Sequence, residues 1–394
     1  MPSGNLDKQI KRHVIGPVQA CYAVTPPGTE ALCARELADL PEPVQVDAVE
    51  TGGLSFAARL AALYQANLHV RTAGRFLLRL ARFKATNFRQ LEKQCTAIAW
   101  AWYLPGGAVP ECKVTAHASR LYHTQAVAQH VRMAIGAYWR AQGVAPLEMP
   151  AQTLYLRLEQ DTVTLSLDSS GAPLYRRGLK THGGKAPLRE NLAAAILALA
   201  GYNPEQPLLD PMCGAGTFAL EAALWAKRIP PGFYREFACM QWPAFRPKQW
   251  QHLKSTAEKE FRGLSRPSIF ASDLDAEACR LLETCIVRHR LDDAVDVRQH
   301  DFFELKPPLP QPGVASTGLI VLNPPYGLRL MPDERLEGFY RQIGAKLVAD
   351  FKGWQVALLL PRPQLIRTQP FPTRSIPLRH GGLSLILLVG RVGH

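Results

Sequence analysis

The chain has 394 residues, 47% hydrophobic and 20% charged, with a formal net charge of +13. That length divides into two or three domains with sizeable cores, and the composition is that of an ordinary globular protein. No apolar run reaches the roughly 18 residues of a membrane-spanning helix, so no membrane partner is expected. The N-terminal stretch MPSGNLDKQIKRHVIG lacks a signal-type apolar core, so export is not expected. Eight cysteines occur without a C-x-x-C pair or a Cys/His cluster. This pattern points to reduced thiols in a cytoplasm and to no metal site.

The charge is uneven. Residues 51–150 hold 12 Lys/Arg against 3 Asp/Glu, whereas residues 201–350 are balanced at 18 against 19. The last 44 residues carry six basic side chains and no acidic one. A basic module joined to a neutral one suggests that one part grips a polyanion while the other does chemistry. The plainer alternative is a solvated basic surface with no partner.

In chain order, ACYAVTPPG reads as a strand and turn, and TEALCARELADL as a helix behind Thr29, a possible N-cap. GGLSFAA is a strand, RLAALYQANLHV a helix, and 75–83 a further strand. HTQAVAQHVRMAIGAYWRAQ is amphipathic, and TLYLRLEQDTVTLSLDSSG alternates like a β-hairpin. These elements predict a mixed α+β region over 1–170, joined by the basic, glycine-rich YRRGLKTHGGKAPLRE to a second domain over 171–394.

The second half alternates strand and helix. QPLLDPMCGAG runs from a strand into a glycine turn, followed by the helix TFALEAALWAKR. SIFASDLD, VDVRQHD, GLIVLNPPY, GWQVALLLP and SLILLVGRV read as further strands, with AEACRLLETCIVRHR and PDERLEGFYRQIGAKLVADF as helices between them. This rhythm predicts an open, mainly parallel sheet covered on both faces, with its ligand outside the carboxyl ends of the strands. The stretch 228–266, with Trp242 and Trp250 inside it and Trp225 just before, forms either an RNA-facing lip or a packed insertion.

The first strand-end loop is DPMCGAGTF, Asp210 to Phe218. Gly214 and Gly216 let backbone pass close to a ligand, and the helix start offers free N–H groups. Gly214, Gly216 and Ala219 match a dinucleotide fingerprint, but Asp210 disfavours a pyrophosphate and suits an ammonium group. Asp273 ends the second strand, where a carboxylate can accept both ribose hydroxyls. Asp275 is its rival, although it reads more simply as an N-cap. Asp301 ends the third strand and has two readings: a partner for an adenine amino group with Phe302 packing the ring, or a turn carboxylate. Cys213 reads as a small residue beneath the ligand, because no base stands beside it.

The fourth strand ends in NPPY. The Asn323 side-chain oxygen and the Pro324 carbonyl are two acceptors for the two hydrogens of an exocyclic amine. Holding both frees the nitrogen lone pair for an electrophile and stabilises the positive charge that develops. Pro324 and Pro325 remove competing N–H donors, and Tyr326 offers a face for a base.

DPMCGAGTF and NPPYG in this order resemble class I S-adenosylmethionine-dependent methyltransferases of exocyclic amines. More narrowly, with KAPLRENLAAAIL and SRLYHTQAVAQHV, the chain resembles the THUMP-domain RNA methyltransferases, especially bacterial enzymes methylating guanine N2 in 23S ribosomal RNA. The resemblance implies a ferredoxin-like and THUMP RNA-binding region, then a Rossmann-like methyltransferase domain. It implies S-adenosylmethionine held by Asp210, Pro211, Cys213, Gly214, Gly216 and Thr217, with Asp273 at the ribose and Asp301 at the adenine. Asn323, Pro324, Pro325 and Tyr326 would hold the target base as the catalytic set, with Asn323 also counted among the cofactor-binding residues; Leu328 departs from the polar residue expected there. The alternatives are a tRNA guanine-N2 or nucleic-acid adenine-N6 methyltransferase, or a non-catalytic RNA-binding assembly factor.

Overall fold

The computed structural model describes the chain apart from residues 1–2, 181–187, 309–316, 325–331 and 394. Its strands are β1 (Gln19–Val24), β2 (Val46–Glu50), β3 (Gly53–Ala58), β4 (Arg75–Lys84), β5 (Ala108–His117), β6 (Leu147–Glu159), β7 (Thr162–Asp168), β8 (Leu208–Asp210), β9 (Ile269–Asp273), β10 (Val295–Gln299), β11 (Leu319–Leu322), β12 (Gln355–Leu360), β13 (Thr373–His380) and β14 (Leu383–Arg391). Its α-helices are α1 (Ser3–Ile10), α2 (Glu30–Ala38), α3 (Leu60–His69), α4 (Phe88–Thr96), α5 (Thr124–Ala141), α6 (Glu190–Leu199), α7 (Thr217–Ala226), α8 (Pro247–Lys259), α9 (Ala276–Arg288) and α10 (Asp333–Asp350). Thr29, expected to cap α2, donates its hydroxyl to the Pro26 carbonyl at 2.7 Å.

Two compact units emerge. The first comprises Met1–Thr25, Cys33–Leu174 and Arg235–Ser255; the second comprises Pro26–Leu32, Tyr175–Tyr234 and Thr256–His394.

The first unit is built on a seven-stranded sheet in the order β2-β3-β1-β4-β7-β6-β5. Every neighbouring pair is antiparallel except β5 and β6. The period-2 pattern explains its two faces. Cys21, Leu54, Leu78, Leu156 and Leu165 are buried, while Tyr22, Arg79, Tyr155 and Arg157 alternate with them on the other side. There the Arg79 guanidinium lies 4.7 Å from the centre of the Tyr22 ring, and Arg157 pairs with Glu50 at 3.3 Å. The β6–β7 hairpin turns at Gln160 and Asp161, both at positive φ (48° and 61°), as a two-residue turn of matching twist requires.

Residues 235–255 settle one open alternative: they pack within the first unit. Trp242 and Trp250 are buried, the Trp242 indole N–H donates to Gln152 Oε1 at 2.9 Å, and the Gln152 amide donates to the Ala238 carbonyl at 3.0 Å. These rings are packing, not an RNA-facing lip. A buried glutamine needs such partners, because an unpaired amide in the core is costly.

The second unit carries the other seven-stranded sheet, in the order β10-β9-β8-β11-β12-β14-β13. β10, β9, β8, β11 and β12 are mutually parallel, and β14 and β13 close the edge antiparallel. β11 shows why its sequence is apolar without alternation. Leu319 and Val321 enter a core with Leu192 of α6, Ala219 of α7 and Leu282 of α9, while Ile320 and Leu322 enter another with Leu336, Ile343 and Leu347 of α10. Both faces are covered, as in other parallel sheets. β13 carries no strand signal in its sequence, because TRSIPLRH is largely polar and holds a proline, a pattern tolerated at a sheet edge.

Candidate functional site

The strand order reverses at β8, which has β9 on one side and β11 on the other. The ligand crevice of an open α/β sheet lies at such a switch point, outside the strand carboxyl ends. Asp210 is the last residue of β8 and Asp273 the last of β9; Asn323 follows β11, and Asp301 lies two residues beyond β10. Parallel pairing therefore places all four at one edge of one sheet.

The Asp210 side chain is fully buried. Its Oδ2 accepts the Ala219 N–H at 3.3 Å, which fastens the strand end to the first turn of α7. Its Oδ1 is buried and has no partner among the described residues. Burial pushes this carboxyl up to about 7; the Ala219 hydrogen bond opposes the rise, nearby Asp273 adds to it and Lys180 lowers it. An acceptor of this kind is built to receive a cationic donor.

The loop between Asp210 and α7 needs its glycines. Gly216 has φ +67°, and a Cβ there would fall 2.3 Å from Leu282 Cδ1. Gly214 has φ +49°, and a Cβ there would meet nothing within 4 Å, so the loop leaves open space beside it. Pro211 and Cys213 are buried beneath this turn. The Cys213 N–H donates to the Ser272 carbonyl at 3.0 Å. Its thiol is pushed far up, chiefly by burial, with Asp210 and Asp273 adding to the rise. A thiol held protonated in this way is packing, not a nucleophile.

Asp273 braces the same loop. Its Oδ2 accepts the Gly214 N–H at 2.8 Å and its Oδ1 the Asp275 N–H at 3.0 Å. Asp275, by contrast, caps α9 by accepting from Glu277 and Ala278 at 2.9 and 3.3 Å. Asp301 accepts the Phe303 N–H at 2.9 Å, so its local turn role is present. Phe302 does not face the crevice; it sits in the core with Ile320 and Tyr340. The turn after β10 sends the larger apolar surface inward, where burial is worth most. Asn323 is half-buried and Pro324 buried at the end of β11. Pro325, Tyr326 and Leu328 lie outside the described residues.

Two groups beside the loop were not singled out in the sequence. Lys180 Nζ donates to Thr217 Oγ1 at 2.7 Å and pairs with Glu190 Oε1 at 3.5 Å. Arg177 and Glu221 form a buried two-pronged ion pair at 2.8 and 3.3 Å. Glu221 is a signal that could have revealed the pair: an acid inside the otherwise apolar helix TFALEAALWA needs a buried cation. Among the described residues, no group of three or more His, Cys, Asp or Glu is arranged to hold a metal, and no helix is long and apolar enough to cross a membrane.

Comparison with known proteins agrees with this geometry. A family model described as UPF0020, RMKL-like methyltransferase domain, matches residues 177–379, and one described as the RlmL ferredoxin-like domain matches residues 20–77. A Synechocystis sp. protein, named provisionally as an RNA methyltransferase, is 34% identical over 375 residues, covering 93% of this chain and 95% of its own. The ribosomal RNA large subunit methyltransferase K/L of Methylococcus capsulatus is 36% identical over 352 residues, covering 86% of this chain and 46% of its own. The chain thus spans about half the length of that relative. Among solved structures, SMU.472 in its complex with SAH superposes with a TM-score of 0.85 at 25% identity, covering 96% of this chain and 99% of its own.

Proposed function

We propose that this chain, which belongs to the UPF0020 RMKL-like methyltransferase family, is an S-adenosylmethionine-dependent enzyme that methylates the exocyclic N2 amine of a guanine in large-subunit ribosomal RNA. The observation that carries this reading is the buried, unpartnered Asp210 Oδ1 at the switch point, at the start of the loop in which Gly214 faces open space, with Asn323 and Pro324 following the adjacent strand. That carboxylate acceptor suits a ligand with an ammonium group, and Asp273 at the neighbouring strand end suits a ribose.

When bound, S-adenosylmethionine supplies an electrophilic methyl on sulfur. Asp210 takes the ammonium group, Gly214 lets the ligand approach the backbone, Gly216 lets the loop turn tightly against Leu282, and Pro211, Cys213 and Thr217 shape the loop. Asp273 has lone pairs left for ribose hydroxyls beyond its two backbone donors, and Asp301 stands at the adenine end. Asn323 Oδ1 and the Pro324 carbonyl accept the two hydrogens of the target amine and stabilise its developing positive charge. Pro325 and Tyr326 complete the motif, with the Tyr326 ring as the stacking face. The base must leave its stack to reach them, at a cost of about a few kcal/mol.

The first unit is assigned the grip on RNA, as a ferredoxin-like part followed by a THUMP segment around 119–131. Its basic excess and the arginines on the polar face of its sheet favour a phosphate backbone. An enzyme acting on ribosomal RNA of this kind works in the cytoplasm.

The test is methyl transfer from labelled S-adenosylmethionine to unmodified 23S ribosomal RNA, followed by digestion to nucleosides. The expected product is N2-methylguanosine. Label in N6-methyladenosine would move the target to adenine, and label confined to transfer RNA would move the substrate. Absence of label in any RNA would leave an RNA-binding or assembly factor.

A further inference from the structure

We propose that Lys180 binds the carboxylate of the cofactor's methionine moiety at the N-terminus of α7, so that the amino acid is held as a zwitterion between Lys180 and Asp210. This assignment rests on the reading of the cofactor as S-adenosylmethionine and adds a residue to its site.

Two independent observations place the two charges together. First, the Lys180 ammonium sits 2.7 Å from the hydroxyl of Thr217, the first residue of α7. Its side chain is only 14% exposed. Helix N-termini favour anions through their unsatisfied N–H groups, and the residue before α7 is Gly216, which has no side chain to cap them. The Ala219 N–H is occupied by Asp210 Oδ2, whereas those of Thr217 and Phe218 have no protein acceptor among the described residues. A cation and free amides at one helix start make a carboxylate site.

Second, Asp210 Oδ1 is buried and unpartnered among the described residues, while the other oxygen of the same carboxylate accepts from Ala219, two residues after Thr217 in the first turn of α7. An α-amino acid carries its ammonium and carboxylate on one carbon, so their receptors must lie side by side. An ammonium has three N–H groups. Two of those on Lys180 have Thr217 and Glu190 as partners, and the third is assigned to the carboxylate.

A purely structural lysine, pinning its segment to α7, would affect every ligand alike. S-adenosylhomocysteine and 5′-methylthioadenosine separate the two roles, because the second keeps adenine, ribose and thioether but lacks the amino acid. Calorimetric titration of the full chain with Lys180→Met should raise the dissociation constant of S-adenosylhomocysteine about 10- to 100-fold, the worth of a charge-assisted hydrogen bond. That of methylthioadenosine should stay within about twofold. Equal losses for both ligands, or an unchanged S-adenosylhomocysteine affinity, would overturn the assignment. If Lys180→Met fails to fold, Lys180→Gln keeps a donor for Thr217 without the charge and carries the same comparison. Wild-type protein that binds neither ligand would instead refute the cofactor reading.

Discussion

The Gly214 amide donates to Asp273 Oδ2 at 2.8 Å, joining the end of β9 to the loop that follows β8. One carboxylate therefore both shapes the glycine turn and stands where a ribose would lie. Asp275, two residues on, is spent on capping α9. Asp273→Ala should weaken S-adenosylhomocysteine binding by about tenfold or more, since it removes a charged acceptor and loosens Gly214. Asp275→Ala should leave affinity near wild type and lower stability by about 1 kcal/mol, the usual cost of an N-cap. Calorimetry showing the reverse order would reassign the ribose ligand to Asp275.

Asp210 gives the site a pH dependence. Its folded-state carboxyl is raised to about 7 above an unfolded value of about 3.9. Between those values the folded chain holds a proton that the unfolded chain has lost. Stability of the ligand-free protein should therefore fall as pH rises through that window and level off above it. The ammonium ligand needs the ionised form, so S-adenosylhomocysteine should bind with proton release at about pH 6 and with little at about pH 8. Titrations in buffers of different ionisation enthalpy measure this directly. An affinity flat across that range would mean that Asp210 is ionised without the ligand.

Asn323→Ala removes one of the two acceptors for the target amine and none of the proposed contacts to the methionine, ribose or adenine. Cofactor affinity should stay near wild type, and RNA affinity should change little, because phosphate contacts dominate it. The single-turnover rate at saturating cofactor and RNA should fall by about two to three orders of magnitude. Near-normal chemistry in that variant would reduce NPPY to a turn.

RNA affinity is expected to reside chiefly in the first unit and to fall steeply with salt. Cutting the chain at 170/171 is a poor test, because Trp242 would lose Gln152. Charge reversal in the full chain avoids this. Arg82→Glu with Lys84→Glu alters two exposed cations at the end of β4. It should reduce the slope of log affinity against log salt by about one per lost phosphate contact and leave S-adenosylhomocysteine binding intact. An unchanged slope would remove these residues from the RNA-binding surface.

The sequence by itself determined the features that depend on a few neighbouring residues. The strand–loop–helix at Asp210 to Phe218 follows from an apolar run, two glycines and a helical repeat. The β6–β7 hairpin follows from strict alternation, and the unbroken LIVL of β11 marks a strand covered on both faces. Tertiary structure decided what depends on which segments become neighbours. Lys180 and Thr217 are 37 positions apart, Arg177 and Glu221 are 44 apart, and Gln152 meets Trp242 across 90. Phe302 went to the core, though its place beside Asp301 suggested a ring for adenine. A carboxylate such as Asp210 has an ordinary affinity for protons until the sheet and α7 close over it. Its elevated value, like the partner of a buried lysine, is a property of desolvation and distance, which no local pattern encodes.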